Sequence, residues 1–232
     1  MGLKVEDMRV LFEKFSKSVM GMGPKDIFGN MKELGGLKFQ GITSSKNLEI
    51  LIEEIAKERN MVNIKDIKMP ICIPTTDLIS DKEYVFTNNK NAKEDYYIKD
   101  FEISKAVRAS STFPFIYSPF EYEKYQFVDG GIFDNLPVQE VRKLEVDKVI
   151  AIKFNLKNPV KQNTIYNIAL QSVDLMTENL IKESVDQSDA IIDINLREVK
   201  AFSIKKIDFC YEEGYKQTLS KILEVKRNLG II

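Results

Sequence analysis

Asp129-Gly130-Gly131 is the segment of this 232-residue chain whose residue types most plainly suit chemistry. An ionised carboxylate accepts a proton, and two glycines after it let the backbone turn sharply or approach a ligand where a Cβ would obstruct. The apolar pair Phe127-Val128 precedes the aspartate, which puts it at the carboxyl end of a short strand. Open α/β sheets bind their ligands beyond that end. The competing reading is a plain turn, because Asp-Gly is among the commonest turn dipeptides. A third use of carboxylates would be as oxygen ligands for Mg²⁺ in a metal-assisted phosphotransferase, with Asp77, Asp129 and Asp134 as the candidates.

The chain contains no histidine, which removes Ser-His-Asp and Cys-His catalysis together with imidazole metal sites. A formal net charge of −1 supplies no basic footprint for nucleic acid, so no nucleic-acid partner is expected. The two cysteines, Cys72 and Cys210, form no C-x-x-C pair, and Cys72 within Ile71-Cys72-Ile73 reads as a buried reduced thiol. No stretch approaches the ~20 apolar residues that cross a bilayer. Met1 to Asp7 lacks the apolar core of a signal peptide, so a cytoplasmic location is expected. No cofactor and no metal are expected.

The elements that must position Asp129 follow from periodicity. Val5 to Met20 reads as an amphipathic helix with Met8, Leu11, Phe12, Phe15 and Val19 on its core side. Asp26 to Gly41 reads as a glycine-containing irregular connection. A second helix follows Ser44-Ser45, one of which suits the N-cap. Met69 to Leu78 is a short apolar strand in which Pro74 argues for an edge or a bulge, and Glu83 to Thr87 is its hairpin partner. Ile103 to Ala109 is a short helix. Tyr125–Val128, Lys148–Phe154 and Ala190–Leu196 are strands that alternate with helices over Pro137–Leu144, Ile165–Val185 and Glu212–Leu229. This order predicts one α/β domain spanning 1–232, a three-layer α/β/α arrangement around a mostly parallel central sheet. Charged runs such as Arg197 to Lys200 read as solvated faces.

The run from Ala106 to Val138, AVRASSTFPFIYSPFEYEKYQFVDGGIFDNLPV, resembles the carboxyl-terminal motif region of patatin-like phospholipases. The likeness lies in the helix end Ala106 to Ser110, the turn Phe113-Pro114-Phe115, Asp129-Gly130-Gly131, and Asp134-Asn135-Leu136-Pro137. Weaker similarity at Pro70 to Phe86 and Phe209 to Tyr215 extends it along the chain. The resemblance implies a hydrolase of lipid degradation that cleaves phospholipid or lysophospholipid acyl esters by a Ser-Asp dyad without histidine. It implies Asp129 as the dyad aspartate, with Gly130 and Gly131 beside it on the substrate side. The aromatic-rich loop Phe113, Phe115, Tyr117, Phe120, Tyr122 and Tyr125 lies next to that presumed site and reads either as the lining of an acyl-chain pocket, with Phe113 and Phe115 as the substrate-binding candidates, or as core packing. Phospholipid or another acyl-ester lipid is the implied substrate, with transient contact at a membrane surface.

The chain departs from that family in having no G-x-S-x-G nucleophile elbow and no glycine-rich oxyanion loop after an N-terminal strand. The nearest string, Gly41-Ile42-Thr43-Ser44-Ser45, lacks the second glycine and a preceding strand. Ser110 and Ser111 sit at a helix end, where serine bonds its own backbone. The expectation is therefore a partial patatin-like domain whose first strands and nucleophile are missing, inactive by itself and given to self-association through an unpaired sheet edge. The alternative is a non-catalytic pseudo-hydrolase that binds lipid or a protein partner.

Overall fold

A computed structural model describes residues 2–20, 45–155, 165–196, 199 and 206–232. The connection expected over Asp26 to Gly41, the cap Ser44 and the run Arg197 to Lys200 (save residue 199) lie outside the described residues. The chain forms two compact units, Met1–Phe133 and Asp134–Ile232.

In the first unit, helices α1 (Val5–Met20) and α2 (Lys46–Glu58) precede strands β1 (Cys72–Asp77), β2 (Lys82–Thr87) and β3 (Tyr97–Ile98). Helix α3 (Ile103–Ser110) follows, then β4 (Phe120–Tyr122) and β5 (Tyr125–Asp129). The five strands form one sheet in the order β3-β2-β1-β5-β4. β1 pairs antiparallel with β2 and β5, β4 pairs antiparallel with β5, and β2 pairs parallel with β3.

Asp77 closes the first hairpin. Its carboxylate accepts from the Ile79 and Ser80 amides, the Ser80 hydroxyl and the Gln126 amide. Burial pushes this carboxyl up, but the hydrogen bonds outweigh it and hold the group below the ordinary range.

Pro74, expected at an edge or a bulge, instead lies in the central strand. Its partner across β2 is Val85, whose N–H turns away to Tyr96 O, so the Pro74 nitrogen faces the β5 side. There the β1–β5 ladder ends at the Thr75–Asp129 pair, and no ladder bond is lost.

Aromatic residues fill the space between this sheet and helices α2 and α3. Phe86 and Phe127 are fully buried, with Phe86 stacked on Phe101 at 4.5 Å and edge-on to Phe127 at 5.6 Å. Ala56, Ala106 and Ala109 let the helices approach these rings closely. Phe120 is buried in the same cluster, with Tyr122 and Tyr125 packed against it. Met8 and Phe12 of α1, expected in the core, are exposed, at 40% and 59%.

In the second unit, α4 (Val138–Arg142) leads to β6 (Ile150–Asn155), α5 (Ile165–Asp186), β7 (Ala190–Asn195) and α6 (Ile207–Asn228). β6 and β7 pair in parallel from Ile150–Ala190 to Asn155–Asn195. Ala190, Ile192 and Ile194 of β7 are buried with Val225 of α6, and Cys210 packs beside them. Neither cysteine is in a disulfide; Cys72, expected to be buried, is half-buried beside Thr87, and burial pushes the Cys210 thiol up.

Asp189 ties the strand starts together. It accepts from the Val149 amide at 2.8 Å, Lys148 Nζ at 3.0 Å and an Arg142 guanidinium nitrogen at 2.5 Å. These donors hold its carboxyl down at about 2. On β6 the face carrying Ile150, Ile152 and Phe154 is exposed.

The fold is α/β, as the alternation of elements predicts. Its described pairings are mixed: the hairpins account for most of the antiparallel pairs, and β2–β3 and β6–β7 are parallel.

Candidate active site

Asp129 is the last residue of β5 and the cap of a tight 3-10 turn over Gly130–Ile132. Its own N–H donates to Thr112 O at 3.0 Å, which fastens the strand end to the loop leaving α3. Its Oδ1 accepts from the Gly131 N–H at 2.8 Å. Among the described residues no donor is directed at Oδ2. One carboxylate oxygen is thus held by the turn, and the other is available to accept a proton. Asp129 is half-buried, and that burial pushes its pKa above the usual carboxylate range against the opposing pull of the Gly131 amide. A raised carboxylate pKa makes a stronger base.

Gly130 is demanded by a close approach. A Cβ built on it would lie 2.4 Å from Pro74 O and 2.6 Å from Pro74 C, both backbone atoms that cannot swing aside. Gly130→Ala is therefore expected to destabilise the chain by about 1–3 kcal/mol, the usual effect of forcing an extra carbon into a packed site. A thermal melt showing no loss would mean that the turn relaxes freely and does not hold Asp129.

A polar node under α2 and α3 supports the same strand end. Arg108 Nε donates to Ser45 Oγ at 3.1 Å, and one Nη donates to Glu49 Oε2 at 2.5 Å. Ser45 Oγ and Thr112 Oγ1 lie 3.0 Å apart, and Thr112 Oγ1 donates to Arg108 O at 2.7 Å. The donors and acceptors close if Ser45, having accepted from Arg108, donates to Thr112. Thr112, fully buried, then gives its carbonyl to Asp129. Ser45 does occupy the N-cap position of α2, but its hydroxyl makes no cap bond, because Arg108 and Thr112 engage it.

Sequence pattern gives Ser45 only the role of a helix cap and gives Arg108 and Thr112 no role. The available signal was a lone arginine between Ala106 and Ala109 on a helix that buries both alanines.

The other expected site residues divide. Gly131 supplies the amide that orients Asp129. Phe113 is half-buried in the loop beyond Thr112, whereas Phe115 is 44% exposed with a backbone φ of +69°. Tyr117, whose phenol is pushed up by burial, lies on the same loop. Ser110 ends α3. Asp77 has its hydrogen bonds within the hairpin, as described above. In the second unit Asp134 accepts from the Leu136 amide at 3.2 Å, and burial pushes its carboxyl up. Among the described residues no three Cys, Asp or Glu side chains cluster so as to hold a metal ion.

A half-buried carboxylate at a strand end, followed by two glycines in a chain without histidine, is a candidate for acid–base chemistry that needs no imidazole. Family comparison matches residues 11–142 to patatin-like phospholipase, and the chain belongs to that family. It is 22% identical over 127 residues to the "Probable lipid hydrolase 463L" of Invertebrate iridescent virus 6, across 50% of this chain and 42% of that protein. The chain therefore spans less than half the length of this relative. No helix among the described residues is long and apolar enough to cross a membrane.

Proposed function

We propose that these residues form part of a lipid acyl hydrolase acting on carboxylic esters of phospholipids or lysophospholipids, with Asp129 as the base of a Ser-Asp dyad. The observation that carries this reading is the state of Asp129: one oxygen fixed by Gly131, the other open, and a pKa raised by burial. In this reading the serine proton passes to Asp129 as the hydroxyl attacks the ester carbonyl, and Asp129 returns it to the departing alcohol or lysolipid. Water then cleaves the acyl-enzyme by the same exchange. Gly130 and Gly131 form the floor beside the carboxylate, and Phe113 and Phe115 meet the acyl chain. Both compact units belong to one hydrolase domain in this proposal, working in the cytoplasm with transient contact at lipid surfaces.

The 232 residues contain no G-x-S-x-G, so they are assigned the base and not the nucleophile. Fluorophosphonate treatment of this chain, read by intact mass, is expected to leave it unlabelled. A single serine adduct that Asp129→Asn abolishes would overturn the assignment, because the chain would then hold an unconventional nucleophile. The same missing motif favours a second reading, a pseudo-hydrolase that binds lipid or a partner. It predicts lipid binding without turnover even where a serine elbow is supplied.

Self-association belongs to the proposal as well. Among the described residues β6 pairs with β7 alone and exposes Ile150, Ile152 and Phe154, at 45%, 51% and 61%. The unpaired edge of β6 is a template for another strand, and its exposed apolar face would be covered by the same association. Ile152→Lys is expected to shift sedimentation toward the monomer, and an unchanged distribution would rule out association that covers this face of β6.

A further inference from the structure

Phe115 occupies the left-handed region at φ +69°, where a bulky side chain is strained, yet its ring is 44% exposed. Burial therefore does little to offset the strain at this position. The ring sits in the turn whose Tyr117 N–H donates to Phe113 O at 3.0 Å, directly after Thr112, the acceptor for the Asp129 amide. On the other side of Asp129, Phe133 ends the Gly130–Ile132 turn, donates its N–H to Gly130 O at 3.1 Å and is 47% exposed. Two exposed rings thus stand on the two segments that converge on the Asp129 backbone.

The segments share a second property. Ser110 to Phe120 and Gly130 to Phe133 contain no Asp, Glu, Lys or Arg in a chain that is 30% charged. Another exposed apolar tip of this unit, Leu78-Ile79, is followed within three residues by the exposed charges of Asp81 and Lys82. Moving a charge out of water is expensive, whereas charge-free loops with outward rings enter an apolar boundary without that cost. Their polar groups are hydroxyls and backbone, and the carboxylates that flank the shorter segment, Asp129 and Asp134, are half-buried.

We infer that Phe115 and Phe133 are the edge that this protein inserts into a lipid–water interface, bringing Asp129 to substrate held in an aggregate. The inference rests on the lipid-ester reading above and names the surface from which that substrate is drawn.

The chain has no tryptophan, so Phe115→Trp, Phe133→Trp and Ile79→Trp each introduce a single reporter. With phosphatidylcholine vesicles, indole emission is expected to shift to the blue at the first two positions and to stay unchanged at the third. Phe115→Ser and Phe133→Ser are each expected to weaken vesicle cosedimentation about tenfold, the effect of withholding one buried ring. Equal shifts at all three positions, or no shift at positions 115 and 133, would overturn the inference. If a Trp variant does not fold, cosedimentation decides. Failure of the parent chain to bind vesicles also overturns the inference and leaves a protein surface as the partner. None of these readouts needs turnover, so they fail or succeed separately from the Asp129 assignment, which is read on hydrolysis.

Discussion

Asp129→Asn is expected to lower ester hydrolysis by about 10²- to 10⁴-fold in a polypeptide that carries a serine nucleophile with these residues, the usual contribution of a positioned general base. Substrate KM should change little, because the amide keeps the shape of the carboxylate and its Oδ1 still accepts from Gly131. The same variant should also be more stable than its parent at neutral pH. Burial raises the folded-state pKa of Asp129 above its unfolded value, so the folded chain holds the proton more tightly. Stability tied to this group is then fully present below the ordinary aspartate value of about 3.9 and is lost as pH rises through the folded pKa. Asn carries no such penalty. Thermal melts of the 232-residue chain should show the variant ahead at pH 7, with the gap closing toward pH 4. A variant less stable than its parent at pH 7 would mean that the carboxylate is structural, and the base assignment would go with it.

The placement of Asp129 at a strand end before a tight turn was legible because strand, carboxylate and paired glycines are contiguous, and contiguous residues keep their relative geometry whatever the rest of the chain does. Helices α1, α2, α3 and α5 were legible for the same local reason, a repeat of apolar positions at helical spacing. What escaped were relations between distant segments. Pro74 pointed to an edge, and only the end of β5 at Asp129 explains its place in the middle of a sheet. The aromatic residues after Pro114 read as one group. The fold separates them, turning Phe120 into the core while a left-handed backbone turns Phe115 to the surface. Ser45 had the right residue type for a cap, but a cation more than one helix away along the chain claimed its hydroxyl. Composition said that imidazole chemistry is absent, and it could not say which carboxylate would be left with an open oxygen.

Arg108→Ala should give the largest loss of stability, about 3 kcal/mol or more, because it leaves the Glu49 carboxylate largely buried without its partner. Side-chain exposures of 16% for Arg108 and 15% for Glu49 put the pair well away from the surface regime in which ion pairs contribute little. The guanidinium also lies 4.2 Å from the Phe120 ring centroid, so truncation removes a stacked cation as well as two hydrogen bonds. Arg108→Lys should recover little of the loss. An ammonium is a point charge and cannot reach Ser45 Oγ and Glu49 Oε2 from one planar fork while covering Phe120. The pair Arg108→Met with Glu49→Leu should be far less damaging than either charge deletion alone, since it removes both buried charges and keeps the volume. Urea unfolding of the four chains would measure this, and additive losses in the double variant would show that Arg108 and Glu49 do not act as a pair. The node ends at Thr112, whose carbonyl holds the Asp129 amide. Arg108→Lys should therefore lower kcat for ester hydrolysis wherever the serine is supplied, even at temperatures where the protein stays folded. Unchanged kcat in a folded Arg108→Lys protein would confine the node to stability and leave the placing of Asp129 to the Gly130 turn.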